Sequence, residues 1–318
     1  DEVKLQTPGG VEVLEVIVAD DPDTRGDLWR RQDWVAIPKA SAVRPSHYPA
    51  LAKTATLRGK RLGVPAMYIN ADPLAGSNPH GGIGGPTGQR IETRASVLAL
   101  WQSARQAIEA AGAEVVLVDF PVVSNYEGDR PGCPTIATRG LVSPQYLHRE
   151  IIDLSVWAWD DFLRTNADPA LHRLAQVDGA RIFPAPDGSL PDRYIGFDGD
   201  IANYPAHARA HTIADFRDIP DLAAGFRGLE ETRRVDLELW MDRLGLDAVV
   251  FPAVADIGPA DADVAPASAR SGIAQRHMGR QRQSGDPPSW HSDRDSADGD
   301  HGRYANACGP DVCGPWLG

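Results

Sequence analysis

The residues whose types could do chemistry are few and scattered. Cys133 and His148 lie close enough in sequence to be weighed as a thiol–imidazole pair, the arrangement in which a base takes the proton of a sulfur nucleophile. A reactive thiol also needs surroundings that lower its pKa, and nothing around Cys133 supplies them, so it reads as inert. Cys308 and Cys313, with His301, offer three soft ligands where a structural zinc needs four. Asp256, Asp261 and Asp263 could gather a hard cation through carboxylate oxygens, but their spacing does not match a calcium loop and the segment offers too few ligands. Gly81-Gly82-Ile83-Gly84-Gly85-Pro86-Thr87-Gly88 lies between strand-like and helix-like text, where a phosphate-cradling loop would lie. It lacks the spacing of the dinucleotide fingerprint, and no Gly-Lys-Ser/Thr follows to bring a lysine to a phosphate, so it reads as a long loop. Ser77 after Gly76 and Ser189 after Gly188 read as turn residues, and no G-x-S-x-G elbow is present. Spacing alone therefore assigns no catalytic, cofactor-binding or metal-binding residue.

The elements that would position such groups follow α/β grammar. Arg61-Leu62-Gly63-Val64-Pro65 begins a buried strand. Gln89 to Ala111 carries Ile91, Val97, Leu98, Trp101, Ala104 and Ile108 at the spacing of an amphipathic helix, with Gly112 at its C-cap. Glu114 to Val118 is a continuous β-branched run, the pattern of a parallel strand covered on both faces. Strand, crossover helix and strand make a right-handed βαβ unit. Near the end, Glu230 to Leu244 is helical in composition, Gly245 caps it, and Leu246 to Pro252 forms another buried strand.

Between these units, Gln145 to Thr165 reads as a helix, and Arg181 to Pro220, rich in Pro, Gly and Asp, as irregular surface. Pro8-Gly9-Gly10 reads as a turn. Val11 to Val18 is too short for periodicity to separate helix from strand, and Asp20 to Pro49 is broken by prolines.

Composition narrows the function classes. The 318 residues are 42% hydrophobic and 24% charged, ordinary for a globular chain. A net charge of −12 argues against binding a phosphate backbone, so no nucleic-acid partner is expected. No apolar stretch reaches the length of a membrane span, and the first residues do not resemble a signal peptide, which makes a cytoplasmic protein the expectation. Three cysteines are too few for a disulfide framework. Lysine occurs only at Lys4, Lys39, Lys53 and Lys60; Arg, Ala, Gly, Pro and Asp dominate, the signature of a GC-rich coding region.

Three segments resemble the amidase signature family. Leu246 to Ser268, LDAVVFPAVADIGPADADVAPAS, is the most distinctive; Thr56 to Asn70, TLRGKRLGVPAMYIN, resembles the segment after the catalytic core; and Val13 to Trp29 resembles a helix and loop of the same enzymes. The resemblance spans residues 11–269. It implies hydrolysis of carbon–nitrogen amide bonds by a serine nucleophile, a second serine preceded by a cis peptide bond, and a lysine kept neutral by burial to serve as base. Backbone N–H groups would stabilise the oxyanion. In such enzymes these groups sit in a Gly/Ser-rich run that comes before the counterpart of Val11. The chain holds no Ser-Ser dipeptide, and Lys60 matches a strand that follows the core. No catalytic residue is carried over.

Residues 270–318 carry no helical or strand period. Their codons, read from the second base of each, are compatible with a different text. Within Met278 to Pro315 they permit DNGNLAIRHLGIPTVTVPMGTMAD followed by TPMPVGLTFAG, both of which resemble the family's continuation. The reading predicts a frame slip within codons 269–273.

Together these observations predict an incomplete α/β fold, part of a mixed or mainly parallel sheet covered by helices in the amidase-signature manner. They divide the chain into an unmatched segment 1–10, an amidase-like part 11–269 and a polar tail 270–318 that is expected to be disordered or out of frame. The expected function is a catalytically silent fragment of an amidase. Its partners would be a small-molecule amide if activity remains, and a second copy of the chain or a separate catalytic half. A non-catalytic binding protein and a split amidase completed by a partner chain are the alternatives.

Overall fold

The computed structural model describes residues 8–78, 92–182, 184, 187–190, 197–256, 260–261 and 264–268. The first helix, α1, spans Pro8–Ile17. Pro8-Gly9-Gly10, expected as a turn, forms its first turn, because proline at the first helical position has its φ preset and loses no intrahelical bond. The proline-broken stretch after it holds three short helices, α2 (Leu28–Arg31), α3 (Ala40–Val43) and α4 (Tyr48–Thr54).

Among the described residues, strand β1 (Arg61–Pro65) is the centre of a three-stranded parallel sheet. Helix α5 (Ala95–Ala110) crosses from it to β2 (Glu114–Val118). The register runs from Arg61 opposite Glu114 to Pro65 opposite Val118. On the other side Leu62 and Gly63 pair with Ala248 and Val249 of β3 (Ala248–Val249). Asp247 N–H donates to the Arg61 carbonyl and Val250 N–H to that of Gly63, so the pairing reaches one residue past each end of β3. Gly63 is required in the middle of β1, because a Cβ there would stand 2.8 Å from the Leu246 side chain. The strand order β2-β1-β3 establishes an open α/β sheet with helices. β2 is less covered than its composition predicts: it is an edge strand, and Leu117 is 56% exposed.

Helices α6 (Pro121–Glu127) and α7 (Pro144–Arg149) follow the sheet crossover. A π-helical turn, Glu150–Leu154, joins α7 to α8 (Ser155–Asn166) in one rod that matches the expected helix of 145–165. α9 (Phe197–Ala210) lies where irregular surface was expected, and it buries Ile201 and Tyr204 against Val156 and Leu174. Pro205 inside α9 disguised it, since proline there forgoes a backbone bond yet the apolar face still drives packing.

A second rod combines α10 (Leu222–Thr232), a π-helical segment Arg233–Glu238, and α11 (Leu239–Leu244), ended by Gly245 at φ 62°. It begins earlier than the expected residue 230. Gly225 and Gly228, which look like loop residues, are close-packing points: a Cβ would meet the Tyr146 ring at 1.9 Å and the Leu141 carbonyl at 1.8 Å. This rod joins two cores. Leu222 and Phe226 pack with Tyr146, Leu154, Trp157 and Phe216 in a helical core. Trp240 and Met241 pack with Met67, Phe120, Leu246 and Val249 beside the sheet.

Candidate functional site

In open parallel sheets, ligands bind outside the carboxyl ends of the strands, where neighbouring connections leave in opposite directions. The order β2-β1-β3 puts that point between β1 and β3. The chain leaving β1 turns through a 3₁₀ segment, Ala66–Ile69, and reverses at Asn70, whose φ of 60° is in the left-handed region that asparagine tolerates. The chain leaving β3 enters the segment FPAVADIGPADADV.

Side chains from all three strand ends meet above the sheet. Tyr68 lies 4.9 Å from Phe251 and 6.0 Å from Phe120, ring centre to ring centre, and Phe120 lies 5.9 Å from Trp240. The spacings are those at which aromatic pairs add to simple burial. Trp240 Nε1 donates to Asp119 Oδ1 at 3.0 Å, which ties α11 to the end of β2.

Polar bonds then stitch the loops together. Asn70 Nδ2 donates to the Thr93 carbonyl and Thr93 N–H returns to Asn70 Oδ1, each at 2.8 Å. Thr93 Oγ1 donates to the Tyr68 carbonyl at 2.6 Å. Arg94 N–H donates to the Ala255 carbonyl at 2.9 Å, and its Nη1 contacts Asp256 Oδ1 at 3.0 Å. The entry to α5 thus bridges the loop after β1 and the loop after β3.

A second clamp holds the loop after β1 from the side. Asp129 is fully buried and accepts from Arg130 Nε at 2.9 Å and Nη2 at 3.0 Å. Arg130 Nη2 also reaches Asp72 at 2.9 Å, and Gly76 N–H donates to Asp129. Asp129 raises the Arg130 pKa above its ordinary value, chiefly by hydrogen bonding, so the guanidinium stays charged.

The residues singled out by type are not gathered here into a reactive group. Asp256 is paired with Arg94, and Asp261 accepts the N–H groups of Val264 and Ala265 at its backbone carbonyl. Asp263 lies outside the described residues, as do Gly81–Gly88, His301, Cys308 and Cys313. Among the described residues no three His, Cys, Asp or Glu side chains are grouped so as to hold a metal ion. Burial, and then the charge of Asp129, push the Cys133 thiol above its usual pKa, the opposite of activation, while His148 is exposed on α7.

Ser77 Oγ donates to the Leu74 carbonyl, and Ser189 follows the left-handed Gly188. Lys60 precedes β1, at the opposite end of the strands from the loops, and its Nζ pairs with Asp247 Oδ1 at 2.7 Å. Sequence reasoning missed the Asn70–Thr93 and Asp129–Arg130 clamps, which join residues by fold rather than by spacing. Asn70 before a loop and the Asp-Arg dipeptide were the available signals.

An apolar cavity of about 370 Å³ lies elsewhere, between α8 and the turns after it. Trp159, Phe162, Leu163, Leu171, Leu174 and Ile182 line it, and none of them can transfer a proton. No helix among the described residues is long and apolar enough to cross a membrane. A comparison with protein-family models and with curated proteins matches the chain to none of them.

Proposed function

We propose that the chain is framework from an amide-bond hydrolase of the amidase signature type, and that by itself it does not turn over substrate. The observation that carries this reading is the loop after β3. Its text, FPAVADIGPADADV, is the most family-like in the chain, and it leaves the sheet at the strand ends where an α/β protein binds ligand. There it is tied to the entry of α5 by Arg94. The same region holds aromatic rings and paired carboxylates, and the serine beside its clamp, Ser124, accepts from Arg130, a guanidinium that stays charged and cannot take a proton.

Serine hydrolysis needs a nucleophile within hydrogen-bond reach of its base, together with donors aimed at the oxyanion. Lys60 does not offer that base: it is held by Asp247 at the far end of the strands. Under this reading the reactive serines and lysine belong to sequence that combines with this framework, in the same gene or in a partner chain. The exposed edge residue Leu117 favours a partner over a free-standing binding protein.

The coding DNA upstream of codon 1 tests the proposal. We expect, in one of its frames, a Gly/Ser-rich run with a Ser-Ser pair preceded by a lysine. Upstream DNA with no such run in any frame would count against an amidase origin.

A further inference from the structure

We propose that His207 and His211, at the carboxyl end of α9, form a two-imidazole chelate for a divalent cation of the zinc type, with Asp153 as the positioning residue behind His207. His211 N–H donates to the His207 carbonyl at 2.8 Å, so a helical bond spans the pair. Residues four apart are neighbours on one helical face, and two histidines at that spacing are a recurrent zinc-binding arrangement. The rings stand 4.7 Å apart, centre to centre, with their planes inclined at 45°. Two imidazoles that share one zinc ion through Zn–N bonds of about 2.0–2.1 Å put their ring centres about 5 Å apart. The pair is already at chelating separation.

Packing fixes the first ring. Ile201 and Tyr204 bury one side of α9, and Tyr204 Oη donates to the Ile151 carbonyl at 2.6 Å. That carbonyl belongs to the π-helical turn Glu150–Leu154, whose Asp153 Oδ1 lies 3.2 Å from His207 Nε2. Such π-helical turns are frequent at functional sites. An ionised carboxylate only accepts, so Nε2 carries the proton and Nδ1 keeps the lone pair that a metal takes. A carboxylate behind a histidine is the usual outer support of a zinc ligand. His211 is exposed, so solvent water can complete the coordination shell.

The neighbouring cations are held elsewhere. Arg149 Nη1 donates to the other oxygen of Asp153, and Arg209 Nη1 to the Ala175 carbonyl, each at 3.0 Å. A metal ion at this end of α9 also meets the negative end of the helix dipole. Imidazole ligands favour zinc-like ions over magnesium and calcium, which prefer oxygen. The chelate uses none of the loops at the strand ends and is independent of the amidase reading.

The test is calorimetric titration of the 318-residue chain with Zn2+ at neutral pH, with Mg2+ as the oxygen-seeking control. We expect saturable Zn2+ binding that Mg2+ does not compete with. Asp153→Asn should weaken it by about tenfold or more, the usual cost of losing an outer support, and His211→Ala should weaken it further. His211 is exposed, so that substitution leaves the packed side of α9 unchanged. In the unsubstituted chain, paramagnetic Ni2+ should broaden the ring-proton signals of His207 and His211 before those of the other histidines. Equal Zn2+ affinity in the parent and in His211→Ala would overturn the proposal, and would be the result if His301, Cys308 and Cys313 held the ion instead. Absence of saturable binding up to millimolar Zn2+ would overturn it as well.

Discussion

At the scale of single residues, the site is defined by what its charges are tied to. Arg130 neutralises the fully buried Asp129 and also holds Asp72. Removing one partner of a buried pair leaves the other charge uncompensated. Arg130→Met is therefore expected to cost about 3–5 kcal/mol in urea unfolding. Arg94→Ala, which breaks a more exposed pair with Asp256, should cost under about 1 kcal/mol. Equal costs would mean that the Asp129 clamp does not hold the loop.

Asp247 gives a pH prediction. The Lys60 ammonium and the Arg61 N–H hold its carboxyl below the usual range. A carboxylate with a depressed folded pKa contributes stability above its unfolded pKa and loses it as pH falls through the folded one. Asp247→Asn should thus destabilise the chain at neutral pH, by about 1 kcal/mol for the altered hydrogen bonds. The difference from the parent should shrink in acid, below the ordinary aspartate range. A difference that stays constant down to strongly acidic pH would contradict the assignment. Cys133 should alkylate more slowly than a free cysteine at mildly alkaline pH, read by peptide mapping, because burial and Asp129 disfavour its thiolate. Faster alkylation would revive the thiol as a nucleophile.

At the scale of elements, the α10–α11 rod carries the fold because it belongs to both cores. Gly225→Ala drives a methyl into the Tyr146 ring, and Gly228→Ala drives one into the Leu141 carbonyl. Each should lower stability by about 1–3 kcal/mol, as overpacking does. Gly→Ala in an open helix would instead be mildly stabilising, so a stability gain at either site would refute the packing. These glycines also explain where sequence reading stops.

Periodicity recovers β1, β2, the rod over 144–166 and the Gly245 cap, since each has a local signal. It misses the start of α10, because a glycine needed for close approach looks the same as a glycine needed for a turn. It misses α9 because Pro205 is a local breaker that packing of Ile201 and Tyr204 overrides. The candidate site is legible only in part. FPAVADIGPADADV marks one of its loops, but the aromatic group of Tyr68, Phe120, Trp240 and Phe251 assembles from four distant segments.

At the scale of the whole molecule, three strands form a sheet whose edge strand β2 leaves Leu117 exposed, and Leu100 on the crossover helix is 72% exposed. Phe162, by the apolar cavity, is 63% exposed. An open edge with apolar surroundings is a template for association. The purified chain should therefore associate with rising concentration and melt over a broad range. A sharp, concentration-independent melt of a monomer would argue that the sheet is sufficient as it stands.

The central claim is that this framework lacks its own reactive groups. Its most direct test is turnover of simple carboxamides by the purified 318-residue chain, with ammonia release as the readout. The account predicts no release above a chain-free control, and sustained, enzyme-proportional release would contradict it.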